Sequence, residues 1–179
     1  MNKRSDLLLK IIHVLAWIAA LGLCVKAGSI LVSYYVSLYM NEEATKNLYQ
    51  GLDLSALREK GPFEYGFMVW SIVLIISAEA LLFFTVIKIF QKINMAQPFH
   101  GQVRKLIERM AWICLFVGIF SMEAMGFAQR YVAKGSSLPE LAKHVGHGDE
   151  FLFFAGILYF ISLVYAKGVE LQQESELTV

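Results

Sequence analysis

An all-α fold, a four-helix transmembrane bundle with both termini in the cytoplasm, is what this sequence predicts, and three observations predict it. The chain of 179 residues is 57% hydrophobic and only 17% charged, where soluble domains average about 25% charged. The stretch Phe67–Phe90 carries a single ionisable residue, Glu79, before Lys88, and ~20 apolar residues rising 1.5 Å each match the ~30 Å hydrocarbon layer of a bilayer. Three more apolar runs, Leu7–Tyr39, Leu106–Phe127 and Phe151–Ala166, are separated by segments too short to fold alone. The chain therefore reads as one membrane domain. Its spans are at 7–39, 67–90, 106–127 and 151–166, with outer loops 40–66 and 128–150, a cytoplasmic loop 91–105 and a tail 167–179.

The first span opens on a basic, then apolar, N-terminus that resembles a signal peptide. Its apolar run continues well past the ~7–15 residues of a signal core, and no small-residue cleavage site follows, so it is kept as a span. It is longer than a crossing needs, which predicts tilt or protrusion. Ala16, Ala20, Cys24 and Gly28 recur every four residues and form a small-residue stripe suited to close helix approach, with His13 on the same face. Gly22, Lys26, Ser29, Ser33 and Ser37 form a second, polar stripe.

In the first outer loop, Asn41-Glu42-Glu43 signals a helix start, and Gly51, Gly61 and Pro62 are breaks. A short surface helix there would turn Leu48, Tyr49 and Leu52 inward. The second span ends at Lys88 and Lys92, Pro98 and Gly101 punctuate the next connection, and Gly135, Ser136, Ser137 and Pro139 mark the second outer loop. Lys3, Arg4, Lys10, Lys88, Lys92, Arg104, Lys105, Arg109 and Lys167 on one side outnumber Lys46, Arg58, Lys60, Arg130, Lys134 and Lys143 on the other. The positive-inside rule then places both termini in the cytoplasm.

Few residues offer chemistry. A carboxyl at the depth of Glu79 costs ~2.5–3.5 kcal/mol on insertion scales. It must face the bundle, pair or hold a proton; it either pins helix packing or binds a proton or cation. Lys26 and Glu123 sit at comparable depths, so they are read either as an ion pair or with Lys26 snorkelling to the interface. His144 and His147 have spacing compatible with a metal site, but the surrounding glycines favour a solvated loop. His13 reads as a packing residue and His100 as a loop residue. Cys24 and Cys114 fall at different depths, which argues against a disulfide. No nucleophile motif or phosphate-binding loop is present, so no enzymatic activity, cofactor or metal is expected. A net charge of +1 gives no basis for direct nucleic-acid binding.

The turn Gln97-Pro98-Phe99, the stretches Lys26-Ala27-Gly28 and Leu48-Tyr49-Gln50-Gly51-Leu52, and the tail Gly168-Val169-Glu170-Leu171-Gln172-Gln173-Glu174-Ser175-Glu176-Leu177-Thr178-Val179 together resemble the domain of unknown function 2975 family of small bacterial membrane proteins. The tail departs from the family pattern at Ser175-Glu176, where asparagine-aspartate is common. The resemblance implies four spans and an unassigned biochemical activity, and suggests a small helix-turn-helix repressor as partner; the location expected is the bacterial inner membrane.

The cytoplasmic docking candidates are Pro98, Phe99, Arg104, Lys105, Glu170, Leu171, Glu174 and Leu177, where basic and acidic groups either clasp one another or receive a soluble protein. Two functions are expected. The first is a membrane-bound regulator or sensor that contacts a helix-turn-helix transcription regulator. The second is a small ion- or proton-coupled transporter that uses Lys26, Glu79 and Glu123. Four helices leave little interior for a substrate path, so transport would require a homo-oligomer.

Overall fold

The computed structural model describes residues 3–92, 99, 101–131 and 138–177. Every regular element among them is helical. Helix α1 (Lys3–Tyr39) leads through a 3-10 turn (Glu42–Lys46) and the short α2 (Ser55–Lys60) into α3 (Pro62–Lys92). Then follow α4 (Gly101–Tyr131), the short α5 (Leu138–Val145) and α6 (Gly148–Leu177). Four helices are long and apolar enough to cross a membrane, at Leu9–Tyr39, Pro62–Lys92, Gly101–Arg130 and Leu141–Ser175. The helices outrun the apolar runs on which the spans at 7–39, 67–90, 106–127 and 151–166 were based, because polar ends continue the backbone ladder. Pro62, which lacks an N–H, opens α3 where that donor would be unsatisfied anyway.

Close packing runs in a row, α1 on α3, α3 on α4 and α4 on α6, so each long helix packs on the next in sequence. Ring contacts set the antiparallel register of α1 and α3: His13 on Phe90 at 6.0 Å, Trp17 on Phe84 at 6.0 Å and Tyr34 on Tyr65 at 5.3 Å. The α1 face buried here is Ala16, Ala20, Ala27, Ile30 and Ser37. Cys24 and Gly28 are exposed, so the predicted stripe leaves the interface after its first two members. A four-residue step turns about 400° at 100° per residue and drifts off a fixed line, whereas steps alternating near 3.5 residues hold it.

Helix α3 is the most enclosed. Tyr65, Met68, Val69, Ile72, Ile75 and Ile76 are fully buried, and each large apolar side chain contributes roughly 1.5–3 kcal/mol. Its hydroxyls are tied back to the helix: Ser71 Oγ donates to the Phe67 carbonyl at 2.7 Å, and Thr85 Oγ1 to that of Leu81 at 2.8 Å.

The connection after α1 is a compact cap. Asn41 accepts from the Glu43 N–H at 2.9 Å, and Gln50 and Gly51 take positive φ, 47° and 87°, to turn the chain. The Leu48 N–H then donates to the Leu52 carbonyl at 2.9 Å. Leu48, Leu52, Leu54 and Leu57 are buried in one core with Leu141 and Val145 of α5. The segment expected as a loop at 128–150 thus contains a helix. Pro139 sits in its first turn, where proline is tolerated, and Leu141 and Val145, four apart, share its buried face.

Helix α6 begins level with the middle of α4. A Cβ on Gly118 would meet the Leu152 side chain at 2.8 Å and the Gly148 carbonyl at 2.9 Å; one on Gly148 would meet the Gly118 carbonyl at 2.8 Å. From there α6 follows α4 back to Phe99, whose ring lies 5.2 Å from that of Tyr165 and against Gly168. The remainder, to Leu177, projects about 13 Å past that point.

Candidate functional site

Between the two flanking helices a cavity of about 780 Å³ opens sideways, lined by Ala19, Gly22, Leu23 and Lys26 of α1, Glu79, Leu82, Phe83 and Val86 of α3, Met110 of α4, Glu150 and Phe151 of α6, with His147 and Tyr49. It lies to one side of the α1–α3 contact, in which Ala16, Ala20, Ala27 and Ile30 are buried. Ala16 and Ala20 close on Ile87 toward the chain termini, and Tyr34 and Ser37 close on Tyr65 at the other end. Gly22 puts no side chain into the space, and nothing lies within 4 Å of where its Cβ would be.

The α1–α3 register puts Glu79 level with Gly22. Lys26 then lies one turn, about 5.4 Å, closer to the loop-bearing end. The Phe67 ring of α3 meets that of Phe127 of α4 at a tilt, 4.6 Å between centroids, which puts Glu79 about a turn below Gly118 and the start of α6. Lys26, Tyr49, His147 and Glu150 therefore form a polar rim, Glu79 sits below them, and Leu82, Phe83, Val86 and Met110 make an apolar floor. The half-buried Glu79 carboxyl makes no hydrogen bond or ion pair among the described residues; Lys26 and His147 act on it through space. His147 Nδ1 stands 3.5 Å from Glu150 Oε1.

Lys26 is thus grouped with Glu79 rather than with Glu123. Helix α1 packs on α3 and not closely on α4, and Glu123 is exposed on α4, so the ion pair read from matching depths does not form. His13 lies outside the groove, accepting from Trp17 Nε1 at 3.2 Å with its ring edge-on to Phe90. Among the described residues no group of three or more His, Cys, Asp or Glu side chains is placed to hold a metal, and Cys24 and Cys114 are free. His147 and Glu150, read from sequence as loop, are rim residues; the signal that would have placed them is the Leu141/Val145 spacing, which folds their segment down onto α3 and α4.

The docking candidates gather where α4 begins and α6 ends. Phe99, partly exposed, packs on Tyr165 and Gly168. Lys167 Nζ donates to Glu170 Oε2 at 2.8 Å, and Arg104 acts on Glu170 electrostatically. Leu171 and Glu174 are exposed. Lys105 lines a separate hollow of about 460 Å³ with Lys92, Gly101 and Gln102, where Lys92 Nζ donates to Gln102 Oε1 at 2.7 Å. Pro98 lies outside the described residues, and of Leu177 only the helical backbone is described.

Comparison of the chain with protein-family models, with curated proteins and with solved structures finds no match.

Proposed function

We propose that this chain is a non-enzymatic, multi-pass inner-membrane sensor that reports the state of its groove to a soluble partner in the cytoplasm, where both termini lie. The observation that carries this is the continuity of α6. One helix runs from Gly148, beside the rim residues Glu150 and Phe151, to Leu177 in the tail, a length of about 45 Å. A ligand that moves its first turn moves its last. The tail end offers Phe99, Leu171 and the charges of Arg104, Lys105, Glu170 and Glu174, a mixed apolar and charged surface suited to a protein partner. The resemblance to the domain of unknown function 2975 family points to a small helix-turn-helix repressor as that partner.

Glu79 in a cavity also supports the transporter reading. Against it, the path below Glu79 is apolar to the Ala16, Ala20 and Ile87 contact, so the groove is a dead end in this conformation.

A crosslinking pull-down from native membranes tests the proposal, comparing the full chain with one ending at Lys167. The shorter chain keeps the Gly148–Gly118 approach and the Phe99–Tyr165 ring contact. Capture of a small DNA-binding protein by the full chain alone is the expected result. Capture of no soluble protein by either form would overturn the sensor reading and move attention to Glu79-dependent transport.

A further inference from the structure

The groove has the build of a binding site for a membrane-dissolved ligand. Its volume of about 780 Å³ lies within the ~300–1,000 Å³ of small-molecule pockets, which pair mainly apolar walls with a few convergent polar groups. Its side opening lies between two helices whose outward faces are apolar: Leu15, Ile18 and Val25 on α1, and Phe154 and Ile157 on α6, are exposed. A ligand dissolved in the bilayer can therefore enter sideways.

The polar groups narrow the ligand further. They stand at two levels one turn apart. The donors Lys26 and Tyr49, with His147, are at the rim, and the carboxyl of Glu79 lies below, without a hydrogen-bond partner among the described residues. A long lipid headgroup fits poorly, because its outermost group would have to lie deepest to reach Glu79. A rigid head with one polar atom at each end, separated by about one helical turn of 5.4 Å, fits both levels at once. Tyr49 and Phe151 flank the upper level, and Phe83 and Met110 lie below Glu79, flat and polarisable surfaces suited to an aromatic ring.

We infer that the groove binds an isoprenoid quinone or quinol. One ring oxygen meets Lys26 and His147, the opposite oxygen meets Glu79, and the tail leaves sideways between α1 and α6. An ionised Glu79 accepts from the quinol hydroxyl, and a protonated Glu79 donates to the quinone carbonyl. Binding alone is proposed, with no electron transfer. The inference rests on the sensor reading in one respect: it names the stimulus, the quinone pool of the membrane.

Equilibrium binding of decylubiquinone and its reduced form to the detergent-solubilised full chain, followed by native mass spectrometry, tests it. A saturable single site is expected, shared by neither a head-less isoprenoid hydrocarbon nor phosphatidylethanolamine. Each lost hydrogen bond to a charged group weakens binding about tenfold, so Glu79→Leu and Lys26→Met each lower affinity by that factor, while Glu59→Gln, in α2, leaves it unchanged. Glu79→Gln keeps an acceptor and a donor in the same place, so it retains binding that Glu79→Leu loses. Equal binding of the head-less hydrocarbon, preferential retention of the phospholipid, or unchanged affinity in both groove variants would overturn the inference. Partner capture is read separately. Quinone binding that fails while tail-dependent capture persists removes the stimulus and leaves the sensor; the reverse leaves the ligand and removes the partner.

Discussion

Adding a methyl group at Gly118 or Gly148 perturbs the contact on which the position of α6 depends. On Gly148 the new Cβ would lie 2.8 Å from the Gly118 carbonyl oxygen, 3.1 Å from the Met122 nitrogen and 2.7 Å from Met122 Cγ. Two of those three are backbone atoms, which cannot rotate away. Restoring ordinary contact at 3.4 Å requires the helices to part by about 0.6 Å, in an interior too densely packed to absorb the shift for free. Overpacking of this kind costs roughly 1–3 kcal/mol. Gly148 opens its helix, so Gly148→Ala recovers little helix propensity and bears nearly the full cost. Gly118 is mid-helix, where alanine gains about 1 kcal/mol, so Gly118→Ala nets roughly 0–2 kcal/mol of destabilisation. One separation relieves both clashes, so the double variant should cost about 1 kcal/mol less than the two singles added together. Unfolding of the purified chain in mixed detergent by sodium dodecyl sulfate, followed by circular dichroism, measures all four corners of the cycle. Additive costs, or a Gly118→Ala variant more stable by its full propensity gain, would refute the close approach.

Two further outcomes follow from buried polar groups. Ser37 Oγ and the Tyr65 hydroxyl are 2.6 Å apart and buried, and Ser37 Oγ also donates to the Tyr34 carbonyl at 2.7 Å. Ser37→Ala strands the tyrosine hydroxyl at about 1–3 kcal/mol, while Tyr65→Phe leaves the serine bonded and costs about 0.5–1.5 kcal/mol; the opposite order in detergent unfolding would show that the pair does not form. Glu79→Leu replaces an unbonded carboxyl in an apolar groove and should stabilise the fold by about 1 kcal/mol while weakening ligand binding about tenfold. A loss of stability in the same unfolding assay would mean that Glu79 pins the helices.

The sequence displayed the spans because bilayer thickness imposes a length and a composition that a single helix must meet alone. It displayed the cap at Asn41 and the inward turn of Leu48 and Leu52 for a similar reason, since both are local. Neighbour order across the bundle is not local. Depth along the membrane normal can be counted from residue numbers, so Lys26 and Glu123 looked like partners; which helix each faces depends on the α1–α3–α4–α6 row, which no single helix encodes. The α5 helix was hidden by its own punctuation, Gly135, Ser136, Ser137 and Pro139, although Leu141 and Val145 already had helical spacing. Gly148 was read as part of a solvated loop because glycine serves both freedom and close approach, and only the presence of Gly118 opposite decides between them.

That pairing bears on how a signal could cross the membrane. Helix α6 is held on one face at two close approaches, Gly148 on Gly118 and Gly168 on Phe99, about 30 Å apart along its axis. Its other face, Phe153, Phe154, Phe160 and Val164, is exposed and meets only lipid in a membrane, which offers no register to resist sliding. Between the two approaches Ala155 and Ser162 are also buried and the helix packs along α4; packed contacts of this kind switch between discrete arrangements rather than deform smoothly. A ligand pressing on Phe151, three residues from the first contact, acts directly on that choice. The second contact then transfers it to Phe99, at the surface where the partner is proposed to dock.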